Sequence, residues 1–159
     1  MSMSAMLGGM VITFPWVAGP SVLGHCLGEA FGPKYGAIHG VAVGMALPYI
    51  LDFNISAAYN KISSLARIFN IRYKGESARV VASKIPPAII QMLEDLEMPT
   101  TLKAINFPAS DIERFSDYIF SSRQKLYDLP RFNPRRLTQE NSIRLIQNMY
   151  DGTLENEAR

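Results

Sequence analysis

Apolar positions along this chain recur every three to four residues, the period of a helix, and no stretch makes a convincing strand. Ile55, Ala58, Tyr59, Ile62, Leu65, Ala66 and Phe69 form one such stripe, which predicts a helix that buries this face and exposes Lys61 and Arg67. Ile89, Met92, Leu93 and Leu96 form another, closed by Pro99. Ser110 followed by Glu113 has the spacing of a capping box, so a helix is expected from there to about Asp128, with Ile112, Phe115, Ile119 and Leu126 inward. A last helix is expected after Thr138 as N-cap and should stop at Gly152, leaving 153–159 as a frayed tail.

Proline and glycine punctuate the more apolar first part. Ser4 to about Gly19 is rich in small residues and should kink or end at Pro15, and Ser21, after Pro20, is a plausible start for a helix carrying His25. Gly32, Pro33 and Gly36 are expected to end that helix near Phe31 and to let the next begin near His39. Gly40 to about Phe53 then reads as an apolar helix interrupted at Pro48, and Pro86-Pro87 should break the helical region that follows Ser77. The result is an all-α fold, expected as a single helical domain over residues 1–152.

Charge is distributed unevenly. The chain has 16 basic and 14 acidic side chains, but only Glu29 and Lys34 fall within residues 1–51. That first third must be hidden from water, in a bilayer or against other protein. Ala5–Gly28 is long enough to span a membrane, but Pro15, Gly19, Pro20 and Gly24 interrupt it and no Lys or Arg flanks it. The start also lacks the positive region of a signal peptide. Burial against protein is therefore expected, either in a larger enzyme or by self-association, with no membrane partner. A net charge of +2 offers no strong attraction to nucleic acid, and Arg131, Arg135 and Arg136 read as a solvated loop. The single cysteine, Cys26, forbids an intrachain disulfide and suits the cytoplasm.

The chemistry on offer centres on two histidines, His25 and His39. On one unbroken helix their spacing of fourteen would place them about 21 Å apart, too far for one ion. The glycine and proline between them allow two helices to face each other, and two nitrogens at about 2.0–2.1 Å from one divalent ion become possible. The ordinary alternative is a pair of hydrogen-bonded core or cap residues. Neither a Ser-His-Asp nor a separate Cys-His set is available for nucleophilic hydrolysis.

Several motifs carry a resemblance. GHCLGEAFGPKYGAIHGVAVGMALPYILDFN from Gly24 places His, a short loop and a second His-Gly before an apolar helix with Pro-Tyr and Asn. LEMPTTLKAINFPASDIERFSDY and FNPRRLTQENSIRLIQNMYDG follow in order. Together they resemble the C-terminal part of the iron-containing alcohol dehydrogenase family, from about Met6 to Gly152. The resemblance implies the helical, dehydroquinate synthase-like C-terminal domain of those enzymes, with His25 and His39 as metal ligands. The ion would be iron, with zinc the other option. It further implies hydride transfer between a small alcohol or aldehyde and NAD or NADP. The family's N-terminal dinucleotide-binding domain, with its Gly-rich turn and an Asp-x-x-x-His completing the metal site, has no counterpart in this sequence. The expected partner is accordingly an N-terminal dehydrogenase half. A non-catalytic helical interaction or metal-binding fragment of a truncated or split enzyme is the competing reading.

One departure from the family bears on catalysis. Many members carry a second histidine four residues after the first ligand, and here that position is Glu29. Four residues on a helix keep Glu29 on the face of His25. It could be an extra ligand, an acid/base in place of the histidine, a hydrogen-bond partner that orients a neighbour, or a cap residue paired with Lys34. A carboxylate in so apolar a segment calls for a compensating cation, which favours a place in the site.

Overall fold

The computed structural model describes residues 35–120 and 133–156, together with Met3, Met6, Leu7, Leu23, Gly24, Leu27, Gly28, Phe31 and Gly32. Among the described residues there is no strand, and the fold is all-α. Its spine is α1, His39–Ser63, against which pack α2 (Ala78–Ser83), α3 (Ile85–Asp95) and α5 (Gln139–Asp151), while α4 (Ile112–Tyr118) packs against α5.

Helix α1 separates two cores. Ala42, Met45, Ala46, Tyr49, Ile50 and Phe53 face a larger cluster with Leu23, Leu27, Phe31, Leu102, Phe107, Phe115, Leu145, Ile146 and Met149. Leu51, Ile55, Ile62 and Ala66 face a smaller one with Val81, Ala82, Ile85, Ile89 and Leu93. Residues 48–55 are all buried, which is why apolar residues occur on every side of this stretch rather than in one stripe; its two polar members are Asp52 and Asn54. His39–Arg67 is long and apolar enough to cross a membrane by length and composition, and most of that window is buried inside the protein.

The helix continues unbroken through Pro48, where an interruption was expected, and departs from helical geometry instead at Ala58 (φ −135°, ψ 23°). Proline forfeits only the hydrogen bond to the carbonyl of Gly44, and the packing of eight consecutive buried residues outweighs that loss. A 3-10 turn, Ser64–Arg67, then leads to Asn70 at φ 53°, and the Ile71 amide donates to the Ala66 carbonyl at 2.9 Å to close the end.

The expected break at the double proline is present. Lys84 separates α2 from α3, and the prolines occupy the first turn of α3, where absent amide donors cost nothing. Only Ile89 and Leu93 of the predicted stripe are buried. Met92, within the helix, is exposed, and so is Leu96, which lies past the helix end at Asp95, where Glu97 (φ 55°) reverses the chain before Pro99.

Two 3-10 turns, Lys103–Ile105 and Ala109–Asp111, lead into α4. The capping box expected of Ser110 and Glu113 does not form; Asp111 is the N-cap residue and makes no side-chain cap bond. Ile112, Phe115 and Ile119 are buried as expected, while the continuation towards Leu126 and Asp128 lies outside the described residues. Thr138 does cap α5: its hydroxyl accepts from the Asn141 amide at 3.3 Å, and the Asn141 side chain accepts from the Thr138 amide at 2.7 Å. Gly152, at φ 76°, ends that helix.

Candidate metal centre

His39 stands where the chain reverses. Leu23, Gly24, Leu27, Gly28, Phe31, Gly32 and Tyr35 are each helical, so helical geometry is found at Gly32 and Tyr35, beyond the expected end near Phe31. Gly36 takes φ 68°, a conformation side chains resist, and its amide donates to the Gly32 carbonyl at 2.9 Å. Ile38 is then the N-cap residue without a side-chain cap, and the exposed His39 is the first residue of α1, as the sequence indicated. His25, Glu29 and Cys26 lie outside the described residues, and so do the pairing of His25 with His39 and the role of Glu29.

Their neighbours show how closely this segment approaches α1. Leu23, Leu27 and Phe31, four apart, are fully buried on one face. A Cβ added at Gly24 would lie 3.5 Å from Cδ1 of Ile50, and one added at Gly28 would overlap Cγ2 of Val43. Val43 is one helical turn beyond His39. Glycine at these positions is thus what lets the backbones approach beside the candidate ligands. Among the described residues no group of three His, Cys, Asp or Glu side chains gathers to hold an ion.

The turn itself is held by aromatic packing. Tyr35 has its ring centroid 4.6 Å from that of Phe107 and 6.0 Å from that of Phe115, and Phe31 stacks on Phe115 at 4.3 Å. The Tyr35 hydroxyl donates to Oδ2 of Asp111 at 2.8 Å. Burial foremost, and then the Asp111 carboxylate, push the Tyr35 phenol well above its ordinary value, so it stays a donor.

A second polar assembly lies at the other end of the buried stretch of α1, between partners that no sequence pattern links. Asn54 and Asn133, both buried, exchange hydrogen bonds: Asn54 Nδ2 donates to Asn133 Oδ1 at 3.2 Å and Asn133 Nδ2 to Asn54 Oδ1 at 3.0 Å. The Arg135 amide donates to the same Asn54 oxygen at 3.1 Å. Arg135, expected to be solvated, instead lays its guanidinium over the Phe53 ring at 4.1 Å, donates to the Phe53 carbonyl and pairs with Glu155 at 2.8 Å. Asn54 and Asn-Pro-Arg stood out in the sequence as motif residues; only the fold joins them.

Nor is the tail frayed as far as it is described. The buried Asp52 carboxylate accepts from the Glu155 amide at 2.6 Å and the Asn156 amide at 3.2 Å, and Asn156 Nδ2 returns a bond to the Asp52 carbonyl at 3.0 Å. Burial raises the Asp52 carboxyl above its ordinary value, against the opposing pull of these amides. Tyr49, raised to about 12 mainly by burial, donates to the Thr100 carbonyl at 2.7 Å and fixes the Pro-Thr-Thr-Leu turn. These groups are structural. Two hollows of about 240 and 230 Å³, one against Ala58 and Pro134 and one against Tyr73 and Glu76, hold no histidine.

Comparison with known proteins agrees with this architecture. The family model described as "Fe-containing alcohol dehydrogenase family, C-terminal" matches residues 1–150. Maleylacetate reductase 1 of Rhodococcus opacus is 27% identical over 108 residues, 68% of this chain and 25% of that protein. An alcohol dehydrogenase from Oenococcus oeni superposes with a TM-score of 0.70 at 28% identity, over 80% of this chain and 32% of its own. A 1,3-propanediol oxidoreductase also superposes with a TM-score of 0.70, at 20% identity, over 83% and 32% of the two chains, and shares the fold. The chain thus spans about a quarter to a third of the length of these relatives.

Proposed function

Because this chain belongs to the iron-containing alcohol dehydrogenase family, we propose that it is the metal-site part of an oxidoreductase that moves a hydride between a small alcohol or aldehyde and NAD or NADP. The observation that carries the reading is the position of His39. It is exposed at the start of the spine helix, directly after the Gly36 reversal, within a match that covers residues 1–150. An imidazole so placed, beside a helix contact kept close by glycine, suits a divalent ion. His25 and His39 would hold that ion, iron in the first place and zinc otherwise. Once bound, it supplies Lewis acidity towards the alcohol or aldehyde oxygen. Glu29 would complete the site as a ligand or as the acid/base that moves the substrate proton.

The nicotinamide dinucleotide would be held by a separate domain with a Gly-rich strand-to-helix turn, docked on the apolar first third. The same surface would drive self-association when uncovered. The single cysteine fits a cytoplasmic protein. A second reading, a non-catalytic helical or metal-binding fragment, is favoured by one observation: the chain spans about a quarter to a third of the length of its relatives.

The two readings separate on one experiment. Supplied with a dinucleotide-binding domain in trans, the chain should reduce small aldehydes with NADH or NADPH, and His25→Ala and His39→Ala should each lose metal. Stoichiometric metal in both variants would sink the site, and no turnover with intact metal would leave the fragment reading standing. In the same complex, Glu29→Gln loses metal if Glu29 is a ligand. If Glu29 is an acid/base, the variant keeps its metal but shows an altered pH profile.

A further inference from the structure

Asp111 occupies the N-cap position of α4, a place where a carboxylate ordinarily accepts from its own helix's first amides, yet it makes no such bond. Its Oδ2 is committed instead to the Tyr35 hydroxyl, 76 residues earlier in the chain. Tyr35 is the last residue before the Gly36 reversal, and three residues separate it from His39. The start of α1 has no side-chain cap and no acidic residue in its first turn, and Ile38 points 74% of its surface to solvent. Helix α1 thus starts without a side-chain cap of its own. Just before the turn, Tyr35 is held in a cluster with Phe31, Phe107 and Phe115.

We infer that Tyr35 and Asp111 form a tether that positions His39 for metal binding. Tyr35 is a positioning residue, acting through the three-residue link Gly36-Ala37-Ile38. The inference rests on the proposed role of His39 as a ligand. The ring holds the turn by packing, and the hydroxyl anchors it to the residue that starts α4. Asp111 gives up capping α4, and the 3-10 turn Ala109–Asp111 that precedes it delivers the carboxylate to the phenol. Residues outside the ligand set that orient a ligand typically change metal affinity by about 10- to 100-fold when removed.

The test uses the full chain with Zn(II) as the probe, and it compares Tyr35→Phe, Asp111→Ala, their double variant and Asp111→Asn, which keeps an acceptor oxygen. Two readouts are taken. One is hydrogen exchange, in the metal-free chain, of the Gly36 and Ala42 amides, which are bonded to Gly32 as the turn begins and to Ile38 as α1 begins. The other is Zn(II) affinity by chelator competition. Tyr35→Phe and Asp111→Ala should each speed both exchanges and weaken Zn(II) by about ten-fold. The double variant should be no worse than either single, and Asp111→Asn should restore parental behaviour. Parental exchange rates in both single variants would overturn the tether. Faster exchange with unchanged Zn(II) affinity would overturn its role in positioning His39. A parent chain whose Zn(II) affinity ignores His39→Ala would refute the ligand reading itself, with the exchange data still deciding whether the tether exists.

Discussion

Replacing Gly28 and Gly44 by alanine, one at a time, makes the same chemical change in two helices and should move stability in opposite directions. In an unconstrained helix the change stabilises by about 0.8–1.0 kcal/mol, because glycine loses more backbone freedom on folding. At Gly44 a Cβ would meet nothing within 4 Å, so most of that gain should appear. At Gly28 the new Cβ would overlap Cγ2 of Val43 while standing 3.4 Å from the Val43 nitrogen and 3.5 Å from its Cβ. Valine on a helix has essentially one χ1 rotamer, so the methyl cannot swing aside and the helices must part. Overpacking costs about 1–3 kcal/mol, and so close an overlap with a methyl that cannot move takes the upper part of that range, about 2–3 kcal/mol. With the propensity gain deducted, Gly28→Ala should lose about 1–2 kcal/mol, or about 2–8 °C in Tm for a chain of this size. Urea unfolding followed by circular dichroism at 222 nm measures both variants, and Gly28→Ala/Val43→Ala should recover the loss at the contact at the expense of the valine's own burial. A Gly28→Ala variant as stable as the parent, or more so, would refute the close approach beside His39.

Other substitutions probe the far end of α1. Asn54→Ala leaves the Asn133 amide and the Arg135 N–H without their shared acceptor, at about 1–3 kcal/mol for each buried group orphaned, so urea unfolding should show a loss of about 3 kcal/mol; a loss below 1 kcal/mol would count against the network. For Asp52 the folded carboxyl is raised above the ordinary 3.8, so the folded state binds the proton more tightly. Its contribution to stability is greatest below pH 3.8 and is lost as pH rises through the raised value. The stability of the parent minus that of Asp52→Asn, followed upward from pH 3.8, should therefore decline, and a difference that grows with pH would contradict the assignment. Arg135→Lys should weaken the clamp despite keeping the charge, because an ammonium cannot lie flat on Phe53 while bonding both its carbonyl and Glu155; thermal melts should show a loss of about 1 kcal/mol.

What the sequence made legible follows a physical rule. Features fixed by neighbours in the chain were readable: the helical period, the Thr138 cap, the Gly152 stop, the break before Pro86 and the start of α1 at His39. Features decided by distant parts of the chain were not. Pro48 reads as a breaker until the burial around it is known. Ser110 and Glu113 fit a capping box until a 3-10 turn replaces that geometry and Asp111 turns to Tyr35. Leu96 fits the stripe of α3 but lies past its last turn. Asn54, Asn133 and Arg135 were visible as motif residues, and Asp52 as a charge at the edge of an apolar segment, but the bonds that join α1 to the later residues span 79 to 104 positions.

The division of the core by α1 carries a consequence for the order in which the chain folds. The smaller cluster draws its buried members from residues 51–93, so its contacts close over short loops. The larger one joins Leu23 to Met149, and the clamp at its edge pairs Asp52 with the Glu155 amide across 103 residues. Loop closure of that length must precede the reward, which places the assembly of the larger cluster after that of the smaller. The C-terminal half of α1 should thus be a template formed early with α2 and α3, and the half that begins at His39 should consolidate last, when the final helix arrives. The histidine proposed to hold the ion sits at the end of the spine that is completed latest, where metal could still select among arrangements of the turn.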